Sequence, residues 1–234
     1  MRKLGCFLLA LLFLCSCAAA PKTGRVSEEE LAKLREEFPY RDALHGTLYS
    51  PLDVYQTPET TLSFLSSRSA FGAFLAEVHV TSDPFYHIGY KKYPGRYESV
   101  EDFIAQHPEL EEDLAQKIFW AGFQHQVDAE ITGILWGDAE VSVGTAISIV
   151  FDHSSTLDTS EIFQNGGRYV CALSGWSGAS PYSVLPHITT KYLTWHITKD
   201  DVILSATSEP GPDSFSGLYL ESFKQEVLAI LNEE

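Results

Sequence analysis

The sequence predicts an α+β protein, mainly β, built as a small curved sheet or OB-like β-barrel with a helical insertion and N- and C-terminal helices. Three patterns predict it. Several short runs alternate apolar and polar residues with period two, both ends carry apolar stripes at helical spacing, and two helix-start signals fall between the first two strands. Five or six strands leave exposed edges, which strong curvature or closure manages best.

The elements follow in chain order. Ser27-Glu28-Glu29-Glu30 fits a capping box, Leu31, Leu34 and Phe38 follow at helical spacing, and Pro39 ends the helix. The stretch 40–58 reads as loop around Pro51 and Pro58, and 59–67 as a short helix capped by Thr57. From Phe74 the period becomes two. Phe74, Ala76, Val78 and Val80 share one face and Leu75, Glu77, His79 and Thr81 the other, the pattern of a half-buried strand. A second strand covers about 127–136, where Val127, Ala129 and Ile131 alternate with Asp128, Glu130 and Thr132. The run 145–151 gives a third, rich in β-branched Thr145, Ile147, Ile149 and Val150. Asn165-Gly166-Gly167 is a turn feeding a strand at 169–173, and the runs 191–198 and 202–204 bracket Lys199-Asp200-Asp201 as a hairpin. Leu220, Phe223, Val227 and Ile230 form one stripe of a closing helix over 218–231. Between the first two strands, 82–118 holds a helix start at Ser99-Val100-Glu101-Asp102 and a second helical piece from Pro108. That segment reads as a helical insertion within one globular domain, 27–234.

The composition is 44% hydrophobic and 12% aromatic, enough for a substantial core. Against 16 basic residues stand 32 acidic ones, a formal charge of −16 that grows more negative if Arg2 and Lys3 leave with a leader. This balance argues against nucleic acid as a partner and against adhesion of the whole surface to an anionic membrane.

Arg2 and Lys3 precede the apolar run Leu4 to Leu14, which falls well short of the roughly 20 residues of a spanning helix and reads as the core of a secretory signal. Leu14-Cys15-Ser16-Cys17, followed by Ala18-Ala19-Ala20-Pro21, resembles the bacterial lipobox. The resemblance implies a lipoprotein. Residues 1–16 are then the signal peptide, Cys17 is the lipidation site and first mature residue, and 17–26 is a lipidated tether. An ordinary secretory signal cleaved near Ala20 is the alternative. Two acyl chains hold a protein stably, at about 0.8 kcal/mol per buried methylene. The expected location is therefore the cell membrane, lipid-anchored, on the extracytoplasmic face. Cys6 and Cys15 leave with the signal and Cys17 is acylated, so Cys171 remains as a lone thiol within Tyr169-Val170-Cys171-Ala172-Leu173. A buried, inert cysteine is the expectation there.

A second resemblance concerns the domain itself. Asp128-Ala129-Glu130-Ile131-Thr132-Gly133-Ile134-Leu135-Trp136-Gly137-Asp138, a β-branched strand, and then Gly167-Arg168-Tyr169-Val170-Cys171-Ala172-Leu173 look like barrel-like envelope proteins of low-GC Gram-positive bacteria. It covers roughly 70–80 and 126–205, with Trp136 where those proteins carry Lys. It implies an OB-like barrel and an envelope location, and brings no catalytic residues with it.

The search for chemistry is mostly negative. The histidines are His45, His79, His87, His107, His125, His153, His187 and His196, without His-x-His or His-Glu-x-x-His spacing, so no metal and no cofactor is expected. His125, Asp128 and Glu130 form the densest set, but both acids lie on a polar strand face. Gly175-Trp176-Ser177-Gly178-Ala179 is one residue off a nucleophile elbow, and Ser180-Pro181 after it begins a helix poorly. A surface loop accounts for it better than a serine served by His153 or His187.

The segment 85–97 is locally basic and rich in tyrosine. Tyr86, Tyr90, Lys92, Tyr93, Arg96 and Tyr97 are the candidate ligand-binding residues, since tyrosine rings offer amphipathic faces and the cations meet phosphate or carboxylate. The competing account packs the same rings against the barrel. Trp176 and Tyr182 form a weaker candidate. The expected function is a membrane-anchored, non-catalytic binding or envelope-associated module, whose partner is an envelope glycan or protein. One alternative is an extracytoplasmic hydrolase whose residues, Ser177 or Glu130 with a histidine, converge only in the fold. The other is a structural or assembly lipoprotein docking through a terminal helix, 27–38 or 218–231.

Overall fold

A computed structural model describes residues 21–41, 56–67, 72–89, 92–137, 141–151, 162–174, 183–184 and 193–232. The lipobox, Tyr90, the 175–179 loop, Tyr182, His45, His153 and His187 lie outside the described residues.

Helix α1 (Glu28–Glu37) starts where Ser27 accepts a hydrogen bond from the Glu30 backbone N–H at 3.2 Å. Helix α2 (Pro58–Ser66) has a full capping box between Thr57 and Thr60. It begins one residue earlier than the sequence suggests, because proline is tolerated at the first helical position, where an N–H has no intrahelical acceptor. The strands are β1 (Ala73–Val80), β2 (Phe85–Ile88), β3 (Gly95–Tyr97), β4 (Phe123–Trp136), β5 (Ala146–Phe151), β6 (Arg168–Ser174), β7 (Ser183–Val184), β8 (Thr194–Ile197) and β9 (Ile203–Ser205). Helices α3 (Val100–Gln106) and α4 (Glu112–Gly122) lie between β3 and β4, and α5 (Pro210–Asp213) and α6 (Leu220–Asn232) follow β9.

The protein is therefore α+β with a mainly antiparallel sheet. The strand order is β3-β2-β4-β5-β7-β6-β8-β9, with β1 paired to both β4 and β6. The parallel pair is β5 with β7, at Val150 and Ser183. Three apolar clusters form the core among the described residues. Inner-facing residues of β1, β4, β5 and β6, among them Phe74, Val78, Ile131, Ile149 and Cys171, make the central one. On the outer face of β1, β6, β8 and β9, Leu75, Val170, Trp195 and Ile203 pack under α2 and α6, through Leu62, Leu65, Phe223 and Val227. A third joins Ile88 and Tyr97 of the β2–β3 hairpin to Phe103 of α3 and Phe119 of α4.

Three sequence expectations change. The insertion carries the β2–β3 hairpin ahead of its helices, because β2 continues along β4 where β1 stops: Phe85 to Ile88 pair with Gln126 to Phe123. Strand β4 accordingly starts at Phe123, directly after α4. On α6 the fully inward residues are Leu220, Phe223, Val227 and Leu231, with Ile230 at the cluster edge.

Strand β1 departs most. Alternation reads as one wet face, yet both faces are buried and Glu77 is only 8% exposed. The outer face is roofed by helices, and the buried Glu77 is met there by two cations: Arg168 of β6 reaches its Oε1 at 2.9 Å and Lys224 of α6 approaches its Oε2 at 3.6 Å. Arg168 also holds Asp201 at 2.7 Å. Removing Glu77 leaves Arg168 with Asp201 alone and Lys224 with Glu221 alone, both cations being partly buried. Glu77→Ala is expected to destabilise by about 2 kcal/mol, within the range for hydrogen bonds to charged groups. Thermal and urea melts of the variant beside wild type measure it, and an unchanged midpoint contradicts the account.

Candidate functional site

Two surfaces bring chemistry-bearing residues together, one at each end of the sheet. The first is the β2–β3 hairpin. Gly95 lets it form as it does: a Cβ there would lie 2.6 Å from the Tyr97 hydroxyl oxygen, so the ring folds back over its own strand only above glycine. Tyr97 is buried and shares a hydrogen bond of 3.1 Å with His107 Nε2, whose Nδ1 faces Glu109 Oε1 at 3.2 Å. Burial, with the charge of Asp102 adding to it, raises the phenol pKa of Tyr97. Tyr93 is buried too, edge-on to Phe103 at 6.1 Å and to His107 at 5.2 Å.

Of the six candidate residues, then, Tyr93 and Tyr97 serve the core under α3 and α4. Tyr86 is half-buried and stacks on His125 with centroids 4.5 Å apart. Lys92 is exposed, 5.1 Å above the Tyr93 ring. Arg96 lies over Phe85 at 3.6 Å and pairs with Asp128 at 3.0 Å. Ser148 holds the other oxygen of that carboxylate at 2.8 Å, so Asp128 is a tie between β3, β4 and β5, and the set His125, Asp128, Glu130 does not converge on one point. Glu130 instead stands opposite His79 on β1.

The sequence reading passed over Trp120, which is 53% exposed and lies edge-on to Phe123 at 5.0 Å and Tyr86 at 6.5 Å. A signal existed. On the helical wheel of α4, Trp120 falls with Asp113 and Lys117, away from the buried Ala115 and Phe119.

The second surface is a cleft of about 390 Å³, counting the solvent that enters it, where α1 ends against the inner side of β8 and β9. Phe38 stacks on His196 with centroids 4.0 Å apart, and His196 meets Tyr169 edge-on at 5.2 Å. Arg35, Arg41, Ile162, Gln164 and Leu204 complete most of the wall. Arg35 is the fastener: its Nη1 donates to the Ser205 carbonyl at 2.8 Å and its Nη2 to Asp213 Oδ1 and Ser216 Oγ, both at 2.6 Å. Its Nε–H is buried without an acceptor. Burial pushes the Tyr169 phenol up to about 12, against the pull of the Gln164 N–H and the charge of Arg41. Burial, then the nearby Arg168 charge, brings His196 down to about 4. The cleft escaped sequence reading because its walls come from residues 35 to 206 and no local spacing joins them.

Cys171 is fully buried on β6, and burial pushes its thiol up to about 12, which suits a packing residue rather than a nucleophile. Both terminal helices turn apolar stripes inward: α6 into the outer cluster, and α1 through Phe38 onto His196. No protein-family model and no curated protein matches this chain.

Two expectations follow from this geometry. Tyr93→Ala removes a buried aromatic and should cost about 3–5 kcal/mol, whereas Arg96→Ala, in a pair whose side chains are 50% and 36% exposed, should cost under about 1 kcal/mol. Denaturant melts that rank the two the other way contradict the assignment of packed and surface positions. For His196, the folded pKa near 4 lies below the ordinary 6.5, so the unfolded chain takes up the proton first as pH falls. Its contribution is intact above pH 6.5 and is lost between 6.5 and 4. His196→Phe keeps a ring under Phe38 and removes the titration, so its melting temperature should fall less than wild type across that window. Parallel declines would show that His196 is not the titrating group.

Proposed function

We propose that this chain is a lipid-anchored extracytoplasmic binding module without catalysis of its own. The observation that carries the reading is Leu14-Cys15-Ser16-Cys17 behind a basic start and a short apolar run. Among the described residues no helix is long and apolar enough to cross a membrane. The first residues tied to the sheet domain support a short tether. The Gly24 N–H donates to the Ser222 hydroxyl at 2.7 Å and the Tyr219 N–H to the Gly24 carbonyl at 3.0 Å, ahead of the Arg25–Leu218 bridge. From Cys17 to Gly24 an extended chain spans at most about 25 Å, which keeps the domain close to the bilayer. The full chain's net charge of −16, more negative still once Arg2 and Lys3 leave with the leader, keeps the body of the domain off anionic headgroups.

The binding face in this reading is the outer edge of the hairpin, where Trp120, Tyr86, Lys92 and Arg96 offer rings and cations to an envelope glycan or protein partner. The sheet itself is read as an OB-like barrel. Pairing of β1 with both β4 and β6 supports this, as does β7, which touches β5 at one position and β6 at two. The two-residue β7 would carry the closure.

Fractionation of cells producing wild type and Cys17→Ala tests the anchor. Wild type should sediment with membranes and carry the added mass of lipid, and the variant should be released or retained as unprocessed precursor. Equal membrane retention with no lipid mass on wild type overturns the reading.

A further inference from the structure

We propose that the C-terminal half of α1, with Phe38, is a lid that lifts off His196 in acid while the sheet beneath stays folded. The proposal is independent of the Cys17 anchor and of the hairpin face. It starts from how lightly α1 is held. None of its 10 residues is buried, whereas α2 buries Thr61, Leu62 and Leu65, and α6 buries Leu220, Phe223, Val227 and Leu231. Leu31, Leu34, Arg35 and Phe38 reach only half-burial. Elements with few buried apolar contacts open locally at lower cost than the core. What fastens this end of α1 is mostly polar: the three Arg35 contacts, the Tyr40 hydroxyl on Asp213 Oδ2 at 2.8 Å, and the Arg41 N–H on the Ala206 carbonyl at 2.9 Å.

The lid rests on a group that changes charge. Phe38 lies flat on His196 with centroids 4.0 Å apart, and Tyr169 of β6 meets the same imidazole edge-on. Arg35 of α1 and Arg41 beyond it line the cleft around that ring. The Arg168 charge reaches it from β6, where Arg168 itself pairs with Glu77 and Asp201. Leu204, Ser205 and Ala206 bring no charge from β9 and its end, and the described lining holds no Asp or Glu. Asp213, on α5, is committed to Arg35, Tyr40 and Ser216. An imidazolium formed under Phe38 therefore has no carboxylate to meet it, and moving the lid aside lets water do so. Under the closed lid His196 titrates at about 4 against an ordinary 6.5. Between those values the closed state binds fewer protons than the open one, so falling pH favours opening. Protonation of Asp213 works in the same direction, because it takes away the charge that holds Arg35.

Hydrogen exchange on the full chain tests the lid, read as protection factors so that the pH dependence of the exchange chemistry cancels. Once lifted, a helix this short does not hold by itself, so its amides report the opening. Between pH 7 and about 4.5 the amides of Leu34 to Phe38 should lose at least about tenfold in protection while β1 and β4 keep theirs. His196→Phe keeps a ring under Phe38 and removes the titration, so the same amides should lose no more than about threefold. If that variant lowers β1 protection at pH 7, His196→Gln, equally unable to take the charge, replaces it with the same expectation. Joint loss from α1 and β1 would mean global unfolding rather than a lid. Unchanged α1 protection would mean that acid does not open it, and an equal fall in wild type and variant that His196 is not the trigger. Each of these overturns the proposal.

Discussion

Strand β1 is hydrogen-bonded along both edges, to β4 and to β6, and is covered on both faces. A backbone in that position has no water to turn to, so every polar group along it must be met by protein. Its inner residues are met by the central cluster, and its outer ones by α2 and α6. The one carboxylate it carries, Glu77, then dictates where cations stand. Arg168 is its cross-strand neighbour's neighbour on β6, and Lys224 comes from the helix that roofs the same face. The two helices far apart in sequence, α2 and α6, therefore share one task, covering a strand that cannot be left wet.

The same constraint explains why the two candidate surfaces lie where they do. Hairpin β2–β3 extends the sheet beyond the end of β1, and β8–β9 extend it beyond β6. In both places the inner face outruns the central cluster and needs a separate cover. At the first end α3 and α4 supply it with Phe103 and Phe119, and the rim of that cover leaves Trp120 exposed beside the half-buried Tyr86. At the second end α1 supplies it with Phe38, pinned by the Arg35 contacts, and the incomplete fit is the cleft. Both candidate surfaces therefore lie at seams of the fold, where the covering is imperfect.

Much of the architecture was legible in local pattern. Ser27 and Thr57 mark helix starts by their own hydrogen bonding, and the period-two run at 74–80 finds β1. What local pattern could not deliver is which face a helix elsewhere will roof. Glu77 and His79 read as solvent-facing because the residues burying that face, Arg168 and Lys224 among them, lie 91 and 147 positions from Glu77. The β2–β3 hairpin was hidden for a related reason: Phe85 to Ile88 is a four-residue strand whose partner, the start of β4, directly follows a helix. For the hairpin surface, the tyrosine-rich composition pointed to the right stretch of chain, but which of its rings turn inward depends on Gly95 admitting Tyr97 and on where α3 lies. For the cleft there was no signal at all in any window of sequence.

Arginine does the long-range fastening in this acidic chain, and the choice of residue has a physical reason. Arg25 reaches the Ser214 and Ser216 carbonyls, Arg35 a carbonyl, a carboxylate and a hydroxyl, and Arg168 two carboxylates. Each of these serves several acceptors from one planar fork, which a lysine ammonium on its flexible stem does poorly. Lys33 makes a local helical pair with Glu29 instead. With scarce cations committed to holding distant segments together, the acidic exterior is left largely uncompensated, and it repels anions over a Debye length of about 8 Å in physiological salt. At the α1 end of the sheet the arginine that fastens α1 and the arginine just beyond it both border the cleft, the first already spent on Ser205, Asp213 and Ser216.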